Sequence, residues 1–174
     1  MGIQIGAKPD SGFDDPLGML KDCHRRIEHF LGILCHVAEH AQSRVMAGEE
    51  IAAVRAALSY FQTGGQRHTA DEEESLFPRL AAAGGFAELD RLEHDHAEAG
   101  QLHAEVETLY RSWISSGSLS ENESTRLLHS TRRLRGLYEA HIEVEDRVVF
   151  PKAAQLLNKE AIAAIGQEFR TRRQ

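Results

Sequence analysis

The segment His68–Pro78 reads HTADEEESLFP, and His141–Pro151 reads HIEVEDRVVFP. Each copy sets a glutamate four residues after a histidine and closes on Phe-Pro with the proline ten residues after it. On an α-helix, position i+4 falls about 40° from position i and one turn away, so each pair can reach toward one point from one face. A chain that repeats this device is constrained to bring two helices together with both faces turned inward.

The rest of the sequence supplies helices for that arrangement. Residues 1–14 read as an irregular arm, and Asp15-Pro16 gives an N-cap followed by proline at the first helical position. A first helix is expected from about 16 to the low forties. Gly48 marks a turn, and a second helix runs from about 49 to 77, ending near Phe77-Pro78. Ala81–Gly85 reads as a loop, and a third helix covers about 86–114 until Ser115–Ser118 breaks it. Ser120 and Glu123 have capping-box spacing and open a fourth helix that ends near Phe150-Pro151. Asn158 caps a short fifth helix through about Phe169. No alternation of β type competes over more than a few residues. The expectation is an all-α fold: an antiparallel up-down-up-down four-helix bundle over about 16–155 with a short C-terminal helix, in a single domain spanning 1–174.

At 174 residues and 41% hydrophobic residues the chain can bury a core of its own. A net charge of −7 argues against nucleic acid as a partner. Arg170, Arg172 and Arg173 read as a solvated helix end. No apolar run approaches the roughly 20 residues of a membrane span, and the N-terminus lacks the layout of a secretory signal. On one helix Cys23 and Cys35 would lie about 18 Å apart, too far for a disulfide, which suits a reduced, cytoplasmic protein. The ten histidines are the excess that composition leaves to be explained.

Helical faces sort those histidines. His141 and Glu145 share a face with Leu127, Leu134, Leu137, Val144 and Val148, while Asp146 lies off it. His68 and Glu72 share one with Val54, Ala57, Leu58, Phe61 and the pair Gly64-Gly65, which leaves room or allows a distortion one turn before His68. In the first helix His24 and Glu28 align with Leu17, Leu20, Ile27, Leu31 and Cys35, whereas His29, His36 and His40 point outward. In the third, His94 aligns with Asp90, Arg91, Gln101 and Glu105, a solvated set. His96 aligns instead with Leu89, Leu92, Ala99, Tyr110 and Ile114, with His103 two turns further along. One buried histidine is ordinarily a hydrogen-bonded core residue. Buried carboxylates, however, are costly unless paired or metal-bound, and metal ligation satisfies the whole set together. The candidate metal ligands are therefore His24, Glu28, His68, Glu72, His96, His103, His141 and Glu145.

Imidazole and carboxylate without thiolate suit iron, manganese or zinc. That many ligands exceed one ion, so two ions bridged by Glu72 and Glu145 are expected. A ferritin-like bundle would carry two Glu-x-x-His motifs, and only Glu93–His96 has that spacing. Over residues 16–155 the chain resembles the hemerythrin-like (HHE cation-binding) family. The resemblance rests on the two long motifs, with DCHRRIEHFL in the first helix and DHAEAGQLH in the third. It implies a non-haem di-iron centre with ligands at His24, His68, Glu72, His96, His141 and Glu145. It also implies a small diatomic ligand or peroxide as the reacting partner. The oxygen-carrying members look richer in histidine, with five and two carboxylate bridges. Here Glu28 would add a third carboxylate, and only His103 could supply a fifth histidine. Extra anionic ligands favour ferric iron, so the expectation is a site that reacts with or senses dioxygen, peroxide or nitric oxide. A reversible carrier, or an iron-handling or partner-binding module, stands as the alternative.

Overall fold

The computed structural model describes residues 10–42, 44–84 and 87–174, and no strand occurs among them. Most of the arm expected over 1–14, the last residue of the 81–85 loop and the expected helix start at 86 lie outside the described residues. The first rod of the bundle is α1 (Pro16–Glu39). The second runs without a break through α2 (Gly48–Tyr60), a π-turn (Phe61–Gly65), α3 (Gln66–Asp71), a second π-turn (Glu72–Leu76) and α4 (Phe77–Ala82). The third is α5 (Glu88–Ser116). The fourth joins α6 (Glu121–Val144), a third π-turn (Glu145–Val149) and α7 (Phe150–Leu156), and α8 (Lys159–Thr171) follows.

The start signals act as the sequence implies. The Asp15 carboxylate accepts from Gly18 N at 3.0 Å, ahead of Pro16. Ser120 and Glu123 cap each other, at 3.3 Å and 2.9 Å. Asn158 accepts from Ala161 N at 2.9 Å and opens α8. Gly117, in the left-handed region at φ 82°, ends α5.

Phe-Pro does not end the second and fourth rods, as the sequence had suggested; both continue past it. In an α-helix Pro78 would lack the N–H owed to the Glu74 carbonyl, and its ring would press on that carbonyl. Here the preceding backbone takes the wider π path. The Phe77 N–H donates to the Glu72 carbonyl five residues back, and the Phe150 N–H to the Glu145 carbonyl. One inserted residue per turn makes room for the proline ring. Gly64 and Gly65 likewise sit in a π-turn, not a break. A Cβ on Gly64 would come within 2.6 Å of the Tyr60 ring. That ring stacks on Phe30 at 4.6 Å, and its hydroxyl donates to the Cys23 carbonyl at 3.3 Å, tying the second rod to the first.

The core divides in two. One cluster, around Leu34, Tyr110, Trp113, Leu127 and Leu134, fills one half of the bundle. The other, around Leu20, Phe77, Leu92, Phe150, Ile165 and Phe169, fills the other. Along every rod the inward histidine falls between residues of the two clusters, so a polar layer crosses the bundle. α1 packs closely on α6 and α2, and α5 on α6, whereas α2 and α5 touch sparingly. Cys23 and Cys35 are buried and unlinked.

Candidate metal centre

His24, His68, Glu72, His141 and Glu145 are at most 2% exposed, and the His96 side chain 6%. Their inner atoms converge. Glu72 Oε1 lies 3.3 Å from His68 Nε2 and 4.0 Å from His24 Nε2, and Glu72 Oε2 lies 3.3 Å from His96 Nε2. Glu145 Oε2 lies 3.0 Å from His24 Nε2 and 3.2 Å from His141 Nε2. The six form two groups, His24–His68–Glu72–Glu145 and Glu72–His96–His141–Glu145, with ligand atoms of each within 4.8 Å of one another. Both carboxylates belong to both groups. The two groups therefore lie side by side and could each hold a metal ion.

The outer ring nitrogens are held by a second layer of acids. His24 Nδ1 meets Asp146 Oδ1 at 3.2 Å, His96 Nδ1 meets Glu73 Oε1 at 2.8 Å, and His141 Nδ1 lies 3.5 Å from Asp95 Oδ2. At His24 and His96 the hydrogen-bonded carboxylate fixes the N–H at Nδ1 and leaves the Nε2 lone pair facing inward, the tautomer a ligand needs. Asp95 Oδ2 lies near His141 without a hydrogen bond of adequate geometry among the described residues. His68 Nδ1 has no such partner among the described residues.

The inner atoms test whether cations fit. Both oxygens of Glu72, both of Glu145 and His24 Nε2 are buried without a hydrogen bond of adequate geometry among the described residues. Buried carboxylate oxygens left so cost several kcal/mol, on the order of the penalty for any unpaired buried charge. The donor set is four imidazoles and two carboxylates with no thiolate, which suits iron, manganese or zinc. Without cations the electrostatics conflict. Burial first, then the facing Glu145, pushes Glu72 well above the usual carboxylate range. Burial raises Glu145 too, but the close approach of His141 and His24 outweighs it and holds it low. Burial depresses His24, yet Asp146 and Glu145 lift it to about 9. Burial, with His24 beside it, drives His68 well down.

A family model described as the Hemerythrin HHE cation binding domain matches residues 15–154. The chain belongs to the hemerythrin HHE cation-binding family. An uncharacterized protein of Haemophilus influenzae is 24% identical over 169 residues, covering 93% of this chain and 92% of that protein. The metal-binding character that the family name states is matched here by a buried His/Glu cluster.

Within this HHE bundle, six of the eight candidate ligands come together and two do not. Glu28, expected to face inward beside His24, is exposed on the outer side of α1 near His29 and His36. The apolar residues sharing its wheel sector are nearer the sector's other edge, so the average direction of the face misplaced it. His103 lies outside both groups; its Nε2 meets the Tyr138 hydroxyl at 3.1 Å and its ring packs on Phe61 at 4.4 Å. Burial lowers it to about 4, so it stays neutral near pH 7. The choice in the third helix stands, with His94 exposed and His96 in the cluster.

Asp146, placed off the inward face by its sequence register, reaches His24 because the π-turn begins one residue earlier. Glu73 and Asp95 were also missed. A signal for two of these acids was present in the repeat, since Glu72 and Glu145 are each followed by a second acid, Glu73 and Asp146.

The C-terminal arginines depart most from expectation. Arg172 Nη1 lies 2.9 Å from Asp71 Oδ1 and Arg173 Nη2 2.6 Å from Asp71 Oδ2, and the Asp71 side chain is 1% exposed. Arg172 also donates to Ser75 Oγ at 2.8 Å, and Arg79 pairs with Glu168 at 2.7 Å. Far from solvating a helix end, Arg172 and Arg173 clamp α8 onto the π-turn that begins at Glu72. Arg170 instead lies over the Phe13 ring at 5.0 Å.

Proposed function

We propose that the chain holds two iron ions bridged by Glu72 and Glu145 and that the pair reacts with dioxygen or peroxide, or senses them or nitric oxide. The observation that carries this reading is the sharing of both buried carboxylates by two ligand groups, each completed by two imidazoles. An iron pair supplies electrons to a bound oxidant. The chain's own residues do the rest. Glu73 and Asp146 hold the His96 and His24 imidazoles in the ligand tautomer, Asp95 lies 3.5 Å from His141 Nδ1, and the two apolar clusters keep bulk water from the polar layer.

With Glu28 outside, the preference for ferric iron rests on Glu72 and Glu145 alone. The case for reaction over reversible carriage then turns on ligand count. Each group would offer an ion four protein donors, fewer than the six that iron can take, which would leave room for an oxidant to bind the metal directly. The test begins with anaerobic reconstitution with ferrous iron and elemental analysis. About two iron ions per chain are expected, lost on His68→Ala or His141→Ala. Stopped-flow absorbance after mixing with oxygenated buffer should then show oxidation that argon purging does not reverse. One zinc and no iron in protein grown with ample iron would overturn the metal assignment. Repeated spectral return on purging would make the protein a carrier.

A further inference from the structure

A cleft of about 360 Å³ opens between the second and third rods, where α2 and α5 touch least. Its walls mix apolar Leu58, Phe61 and Ala99 with polar Gln62, Gln66 and Thr69. Its inner wall includes His96, one of the clustered ligands. Its polar end is the His103–Tyr138 pair, with the imidazole and hydroxyl 3.1 Å apart. On α5 the cleft passes Gly100, where an added Cβ would meet nothing within 4 Å, so there is open space one turn beyond His96.

Three features specify an occupant. A diatomic molecule is no larger than a water, which occupies about 30 Å³ of liquid, so the cleft is larger by an order of magnitude. Its size falls in the range of pockets for organic ligands. No lysine or arginine lines it, and the single carboxylate, Glu107, is already bonded to Gln62 at 2.6 Å and to Arg111 at 2.6 Å. Both bonds fall on Oε1, and the Arg111 guanidinium offsets the Glu107 charge, so no uncompensated charge faces the cleft. His103 and Tyr138 together offer an acceptor and a donor at one end, and Phe61 offers a ring face.

We propose that this cleft binds a small, uncharged, flat organic molecule bearing a hydroxyl group, with the hydroxyl at His103 and Tyr138 and its apolar body against Phe61. Its far side is then turned toward His96, as a co-substrate of the metal centre would be. That last role rests on the function proposed above; the binding itself does not.

The experiment uses phenol as the probe, with benzoate and benzylamine as charged counterparts of similar size. Saturation-transfer NMR is run on the protein as purified, and again after elemental analysis has fixed its metal content. Phenol should bind at millimolar concentration or tighter, and benzoate and benzylamine at least tenfold more weakly. Gly100→Leu projects into the open space and should weaken phenol at least tenfold without altering metal content or melting temperature. His103→Phe keeps the ring and removes the polar contact, and should weaken phenol severalfold while leaving toluene binding unchanged. No phenol binding, equal binding of the charged probes, or indifference to Gly100→Leu would each overturn the proposal. A protein that binds phenol in this way yet contains no iron would keep the cleft and sink only the iron reading.

Discussion

In the second rod the clustered Glu72 is preceded by Asp71, an acid buried against two arginines just past α8. In the fourth rod the clustered Glu145 is preceded by Val144, half-buried against the apolar cluster of that end. Toward the centre the two copies behave alike. Each histidine meets its own glutamate, at 3.3 Å and 3.2 Å, and each glutamate opens a π-turn. Each is followed by an acid that reaches the lone histidine of a neighbouring rod, Glu73 to His96 and Asp146 to His24. Away from the centre they part. One copy is anchored by charge and the other by packing. A second asymmetry lies in the rods that pair with them: His96 is preceded by Asp95, which supports His141, whereas His24 is preceded by Cys23 and His68 Nδ1 stands without a partner among the described residues. Ligand geometry thus repeats where the chemistry demands it, while the scaffold meets the same demand by whatever contact each side offers.

The anchoring difference predicts the largest effect. Asp71→Ala leaves two arginines without their buried acid and should cost about 3–5 kcal/mol of stability. Val144→Ala removes a half-buried pair of methyl groups and should cost about 1 kcal/mol. Urea denaturation of both variants, with and without chelator, measures the gap. Equal costs would erase the distinction between a charged and a packed anchor.

Metal affinity sharpens the second asymmetry. The His96–His141 position has two supporting acids and the His24–His68 position one, so the first should bind the tighter ion. Asp146→Ala, Asp95→Ala and Glu73→Ala should each weaken one position by about 10–100-fold. Competition against a chelator, followed as two binding steps, assigns each loss to a step. Uniform weakening of both steps by every variant would show that the acids act on the centre as a whole.

The smallest effect tests the likeness of the copies. Because both π-turns make the same five-residue backbone bond, Pro78→Ala and Pro151→Ala should shift stability alike, each within about 1 kcal/mol. Thermal melts that differ clearly between them would mean the turns are maintained by different forces.

The fold was legible from local signals: a stripe of apolar residues in each rod, a capped start in the first and fourth, and turn residues between rods. The clustered pairs His68–Glu72 and His141–Glu145 were legible from their spacing by four, and His24 and His96 from the apolar residues that share their faces. What escaped was whatever depends on a change of period or on a distant partner. A π-turn adds a residue to a turn, so a face drawn with a constant angle drifts beyond Glu145 and loses Asp146. Phe-Pro looked like a terminus because a proline inside a helix is normally a break, and only the wider turn removes the clash. Glu28 was drawn inward by lying four residues from His24, the spacing that holds for the other two pairs but here crosses the edge of the buried stripe. The partnership of Asp71 with Arg172 and Arg173 spans most of the chain, and no local pattern announces it.

That partnership also bears on the order in which the protein is made. Asp71 precedes Arg172 by 101 residues and Arg173 by 102. At roughly 5–20 residues per second of synthesis, the acid waits roughly 5–20 s for its counter-charges. During that interval burying the stretch around Glu72 would strand a carboxylate, so the second rod gains nothing by docking early. Closing the layer around Glu72 is thereby favoured only once Arg172 and Arg173 have been synthesised, and a chain stalled before Arg172 would carry all six clustered histidines and glutamates without the counter-charges of Asp71.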